Sequence, residues 1–292
     1  MKNTEKSDAA EDDSSSFDPL PDDVVLQIFR KIIDYETLCP CRLVSKRFNR
    51  ITLQVDTIRF ITKITSYKSF LSKIQSLKKF EGLKYLSVHI PSTSEHPCMC
   101  RWKIKCGKNL DSVIFLSPNS VYHSKKYVNE NGHEEEDMEL TLLKKFTAME
   151  CMDHAVLSHL MLLTCIKHIP LLEKVTLKDS GKTYSISLNA EKIAEMRSSL
   201  TSPYELIRQN RMSKCYVPLL ELPVSGYVLK GVTVFLMERE DLPIGNDSFM
   251  KIDDDDSEDK LEAAFNEALM EIFKKHAARF ERQLAFTSVI FV

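Results

Sequence analysis

Residues 19–32 read PLPDDVVLQIFRKI. Pro21 suits the first position of a helix, because its fixed φ is already helical and its missing N–H would have no partner there. Asp22 and Asp23 follow in the first turn, where the helix dipole favours negative charge. Val25, Ile28, Phe29, Ile32 and Ile33 recur at i, i+3, i+4, i+7 and i+8, one apolar stripe. Val24 and Leu26 widen that stripe beyond one buried face, and Leu20 adds an apolar group ahead of it. A second helical segment opens at Pro40, with Cys41, Val44, Phe48 and Ile51 on one side and Lys46, Arg47, Asn49 and Arg50 on the other. Two or three short helices over roughly 40 residues cannot close a core alone. The surplus apolar groups either pack on the rest of the chain or wait for a partner.

These residues resemble an F-box. Leu20-Pro21, the acidic Asp23, the Ile28-Phe29 pair and then Val44-Ser45-Lys46 with Phe48 stand in the order and spacing of that motif, over about Phe17 to Leu53. Phe29 takes the place of the usual Leu and Phe48 that of the usual Trp; both remain large and apolar. The resemblance implies docking on a Skp-type adaptor, and through it on the cullin and RING subunits of a ubiquitin ligase. Leu20, Pro21, Ile28, Phe29, Val44 and Phe48 would then make the adaptor-binding surface.

The chain has 292 residues and a formal charge of −2, so charge makes no case for nucleic acid as a partner. The longest apolar run, Leu160 to Ile166, is too short to span a bilayer, and the charged opening residues do not read as a secretory signal. Eight scattered cysteines without a scaffold spacing fit a reducing compartment, cytoplasm or nucleus. Seven glycines, none clustered, disfavour a dinucleotide fold or a phosphate loop.

Beyond residue 53 a pattern recurs: large apolar, two residues, apolar, one residue, apolar. It begins at Val55, Leu83, Leu110, Leu172 and Leu229, with the last two gaps about twice the first two. The unit length and the L-x-x-L-x-L pattern are those of a leucine-rich-repeat strand. The Asn or Cys usual after such a strand is missing, so the repeat is degenerate. Met138 to Ile169 and Ala190 to Leu200 read as helices, SGKTYSISL as a hairpin strand, DKLEAAFNEALMEIFKKHAARF as an amphipathic helix and LAFTSVIFV as a final strand. The expected fold is α/β: a disordered tail over 1–16, an all-helical F-box over 17–53, and an irregular leucine-rich-repeat-like α/β body over 54–292, with mobile acidic loops near 129–137 and 245–260. RFNRITLQVDTIRF, WKIKCGKNLDSVIFL and YVLKGVTVFLME further resemble the plant auxin up-regulated F-box group.

Chemistry elsewhere is thin. His96, Cys98, Cys100 and Cys106 lack the two-residue spacing of a zinc knuckle. Cys151, Asp153 and His154 crowd one helix, where near neighbours point apart and make no nucleophile–base pair. Lys46, Arg47 and Arg50 read as a solvated or partner-facing side. The expectation is therefore a non-catalytic receptor subunit with no cofactor and no metal, holding a target protein for ubiquitination, away from nucleic acid and membrane. A non-degradative scaffold and a hormone-liganded receptor are its rivals.

Overall fold

A computed structural model describes residues 17, 19–62, 67–91, 100–106, 110–123, 136–179, 185–198, 210–239 and 260–283. The N-terminal unit is three helices: α1 (Asp22–Lys31), α2 (Tyr35–Val44) and α3 (Lys46–Thr52). Pro21 lies just ahead of the first helical residue, and its carbonyl accepts from the backbone N–H of Val24 and Val25. The expected second helix from Pro40 onward is two helices. Asp34 starts α2 earlier by accepting from the Thr37 N–H and hydroxyl, at 3.1 and 2.9 Å. Ser45 is extended and caps α3 by accepting from the Phe48 N–H at 3.1 Å. Pro40 falls inside α2.

The body continues as β1 (Thr57–Ile61), α4 (Tyr67–Leu77), β2 (Tyr85–Ile90), β3 (Arg101–Cys106), β4 (Leu110–Ser117), β5 (Ser120–His123), α5 (Met138–His168), β6 (Lys174–Asp179), β7 (Ser185–Leu188), α6 (Ala190–Arg197), β8 (Asn210–Leu222), β9 (Tyr227–Arg239), α7 (Lys260–His276) and β10 (Glu281–Gln283). Two sheets result. The first runs β1-β2-β6-β7, its first three strands parallel. Here the repeat reading holds residue by residue: Ile58 pairs with Leu86 and Leu86 with Val175, while Phe60 pairs with Val88 and Val88 with Leu177. Val55, Leu83 and Leu172, which open the three copies, are buried.

The copies opening at Leu110 and Leu229 are not further turns of that stack. They belong to an antiparallel sheet ordered β10-β8-β9-β4-β3, with β5 also on β9. Chain between β2 and β6 leaves the stack to build β3, β4, β5 and α5, so β2 pairs directly with β6. The α/β class stands, but the repeat extends over three strands.

Helix α5 joins the two sheets. Its 31 residues reach about 46 Å. Near its start Lys144 bonds the antiparallel sheet, and at its end Arg197 of α6 donates to the Ile166 and Ile169 carbonyls. Alternate β4 residues face opposite ways: Val113 and Phe115 join the core that holds α5, Ile114 and Leu116 the core that holds α7. The first core also contains Val25, Phe29, Leu38 and Ile51 from the three N-terminal helices. The three N-terminal helices and the body therefore share one hydrophobic interior.

Residues 1–16, 129–135, 245–259 and 284–292 lie outside the described residues, and with them the expected tail, most of both acidic loops and the final strand. Asp137 caps α5 by accepting from the Glu139 and Leu140 N–H groups. No helix among the described residues is long and apolar enough to cross a membrane.

The β8–β9 hairpin turn is held by α7. Glu267 is buried, and its two carboxylate oxygens accept from the backbone N–H of Val224 and Ser225, at 2.6 and 2.8 Å. Glu267→Ala removes two charge-assisted bonds and should cost about 2 kcal/mol. Urea unfolding would measure the loss, and amide exchange at Val224 and Ser225 should accelerate.

Candidate functional site

The three N-terminal helices leave apolar side chains uncovered. Leu43 is 87% exposed and Val44 68%, side by side where α2 ends. Phe17 and Val24 are exposed as well, as is Pro21. Ser45 is the reason for the pair at 43 and 44. Its extended backbone stops α2 short, and α3 sets off without folding these two residues beneath it.

The six residues read as adaptor-binding are not placed alike. Pro21 and Val44 are exposed; Leu20, Ile28 and Phe48 are half-buried; Phe29 is only 4% exposed. Phe29 therefore sits in the interior and supports the surface from beneath. Its ring meets Phe48 edge-on at 5.3 Å, and Phe48 meets Phe17 edge-on at 5.6 Å, a relay of three rings from core to surface. A large apolar residue on a helical stripe carries the same pattern whether it faces the chain's own core or a partner, so spacing did not separate Phe29 from its neighbours. Leu43 was missed because it lies off the 41-44-48-51 stripe. Its signal was an apolar residue with no place in that stripe.

The basic cluster is also corrected in part. Arg47 and Arg50 turn back on α1. Arg47 Nε donates to Asp22 Oδ1 at 2.7 Å, its Nη1 to the Phe17 carbonyl at 3.1 Å and its Nη2 to the Leu20 carbonyl; Arg50 Nη2 donates to Asp22 Oδ2 at 2.7 Å. The Arg47 hydrogen bond, with Arg50 beside it, holds the Asp22 carboxyl below the usual carboxylate range. This clasp fixes the Leu20-Pro21 turn against α3. Lys46 and Arg50 remain exposed, as a solvated side would be, and Arg47 is the one drawn in.

The same helices are fixed to the body. Asp34 forms a parallel bridge with Arg59 of β1. Lys73 of α4 donates to Glu36 and to the Ile61 carbonyl, both at 2.7 Å, and Arg42 lies over the Phe80 ring. Gly82 packs so close to the Gln54 carbonyl that a Cβ there would fall 2.7 Å from it.

Of the metal-like cluster, His96 and Cys98 lie outside the described residues, and Cys100 is buried and hydrogen-bonded with Cys151. Among the described residues no three His, Cys, Asp or Glu side chains gather as metal ligands. Cys151 is fully buried, which removes it from any substrate.

Comparison with known proteins agrees with this geometry. A family model described as F-box-like matches residues 17–57. The chain is 23% identical over 279 residues to the F-box protein AUF2 of Arabidopsis thaliana, an alignment covering 80% of this chain and 88% of that protein. It is 24% identical over 285 residues to the F-box protein AUF1 of the same plant, covering 76% and 85%. No solved structure matches. The chain thus carries an F-box-like domain ending at the first residue of β1, on a body similar to those of plant F-box proteins.

Proposed function

We propose that the chain is the substrate-recognition subunit of an SCF-type ubiquitin ligase, acting in cytoplasm or nucleus. The F-box helices dock on a Skp-type adaptor, which links them to cullin and RING subunits. The body holds a target protein. The chain supplies proximity and orientation, which raise the effective concentration of target lysines near the charged conjugating enzyme; the bond-making groups belong to other subunits.

The observation that carries this reading is the uncovered apolar surface on the F-box-like helices, Leu43 and Val44 above all. Isolated surface apolar residues are ordinary, but here Phe17, Pro21, Val24, Leu43 and Val44 belong to one matched segment. Each such group, once covered, contributes up to about 1.5–3 kcal/mol. The shared core makes a second contribution, since a receptor rigidly joined to its docking helices presents its cargo at a fixed angle.

Leu43→Ala with Val44→Ala should weaken adaptor binding about tenfold or more while the melting temperature stays unchanged, because both side chains already lie in solvent. Leu20→Ala with Pro21→Ala should weaken it as well from the α1 side, with some loss of melting temperature because Leu20 is half-buried against the core. The readout is co-purification and titration with the adaptor. Undiminished adaptor binding by both double variants would refute the assignment.

A further inference from the structure

Parallel strands are normally covered on both faces, yet among the described residues the β1-β2-β6-β7 sheet, parallel over its first three strands, has apolar packing on one. Ile58, Phe60, Leu86, Val88, Val175, Leu177, Ile186 and Leu188 face the core. The alternate residues look outward and are mostly polar: Arg59 on β1, Ser87 and His89 on β2, Lys174, Thr176 and Lys178 on β6, Ser187 on β7, with Ile61 of β1 and Tyr85 of β2 the exposed apolar groups among them.

Strand register brings them together. Arg59, Ser87, Thr176 and Ser187 form one row across four strands, and His89 stands beside Lys178 in the next. Adjacent strands lie ~4.8 Å apart and alternate residues ~6.6 Å apart along a strand, so the three permanent cations fall within a patch about 10 by 13 Å. Their fields meet at His89: after burial, the Arg59 and Lys178 charges are what lower its pKa. None of Arg59, Lys174 and Lys178 makes an ion pair among the described residues, whereas the cations at the sheet's rim, Lys84 and Arg30, are paired with Glu173 and Asp56. The hydroxyls are mutually engaged, with Thr176 and Ser187 at 3.2 Å and Ser87 against the His89 ring at 3.1 Å. They leave a level surface of short donors between the long cations. This local excess of positive charge stands on a chain whose net charge is −2.

We infer that the outward face of the four-stranded sheet is the surface that receives the target, and that what it receives is an anionic peptide segment, its charge carried by carboxylate or by phosphate. The inference rests on the proposed role of the body as the target-holding half and names the chemistry of that cargo. A sheet face with cations on two strands and hydroxyls between them suits an extended chain with acidic groups spaced along it.

The test uses the full chain and four fluorescent probes: a Glu-rich peptide of about twelve residues, long enough to cross the sheet, the same length carrying phosphoserine, a neutral Gln version, and a single-stranded RNA. One or both anionic peptides should bind, more weakly as salt rises, and the neutral peptide should not. Which anionic arm binds more tightly identifies carboxylate or phosphate as the source. Replacing the cations together, Arg59→Gln, Lys174→Gln and Lys178→Gln, should lower that affinity about tenfold or more. Adaptor recovery should be unchanged, so failure here leaves the adaptor reading standing, and the converse. Equal binding of the neutral peptide, unaltered affinity in the triple variant, or preference for RNA over both peptides would overturn the inference. Binding that appears only after Asp253–Asp256 and Asp259 are replaced by Asn would make the chain's own acidic run the occupant and overturn it too.

Discussion

Lys144→Met should destabilise the chain by about 2–3 kcal/mol, the largest effect expected of any single exposed-looking residue in the sequence, because neutral acceptors lose their donor while the cost of burying an ammonium is relieved. Lys144 is fully buried, on the face of α5 that meets the antiparallel sheet. Its ammonium donates to the Ser117 carbonyl at 3.0 Å, the Gly231 carbonyl at 2.9 Å and Asn119 Oδ1, with Thr233 Oγ1 at 3.4 Å. Three N–H groups thus meet three carbonyl-type acceptors. The need for them comes from the sheet. Strand β9 pairs with β4 as far as Thr233 opposite Ser117, and with β5 from Lys230 opposite Ser120. Between the two ladders Gly231 takes a left-handed backbone, φ +57°, and a Cβ there would fall 2.2 Å from the Asn119 amide nitrogen. The carbonyls at this crossing turn toward α5, and Lys144 collects them. Methionine keeps most of the volume but donates nothing, so acceptors inside the core lose a shared donor at about 1–3 kcal/mol each. Urea unfolding of the two proteins would measure the difference. A change below about 1 kcal/mol would mean that the strand crossing is held by its own ladders.

Lys144 also marks a limit of reading by pattern. A lysine between Leu143 and Lys145 on an amphipathic stretch is expected in solvent, and only the crossing of two strand ladders, which no local spacing reports, calls it inward. The F-box helices were legible because their signal is local: apolar residues at helical spacing, and more of them than one face can bury. The three copies at Val55, Leu83 and Leu172 were legible because each strand of a stack must present the same inward pair, and register confirms Ile58, Leu86 and Val175 in one row. The copies at Leu110 and Leu229 carry the same letters for another reason. Both strands lie in a sheet with helices on both faces, and a strand buried on both sides satisfies almost any apolar template. Strand β8 escaped notice because Pro218 sits in its middle and its residues divide between two cores, Met212 facing one and Cys215 and Val217 the other. The cations at 59, 174 and 178 are more than a hundred residues apart at their extremes, and nothing short of the strand order assembles them.

The second large effect is one of pH, and it centres on His159. This residue lies on α5, is 99% removed from solvent, and neither ring nitrogen has a hydrogen-bond partner among the described residues. Burial lowers its pKa to about 4 from an ordinary 6.5. The folded chain keeps the ring neutral between those values, while the unfolded chain takes up a proton. Stability is therefore undiminished above about pH 6.5, falls as pH drops below it, and stops falling near pH 4, where the folded state protonates too. A shift of that size corresponds to about 3 kcal/mol over the full window, and to about 2 kcal/mol by pH 5. Carboxylates titrate at the lower end of the same range, so the comparison must be with His159→Leu. That variant removes two unpaired polar atoms from the core and should be no less stable at pH 7.5. It should also lose about 2 kcal/mol less than the parent between pH 7.5 and pH 5, in urea titrations at the two pH values. Equal losses in both proteins would mean that the ring finds a proton acceptor in the folded state and is not held neutral. The prediction bears on function through geometry. Helix α5 is what joins the three-strand stack to the antiparallel sheet, so a proton forced onto His159 acts on the element that keeps the two sheets in register.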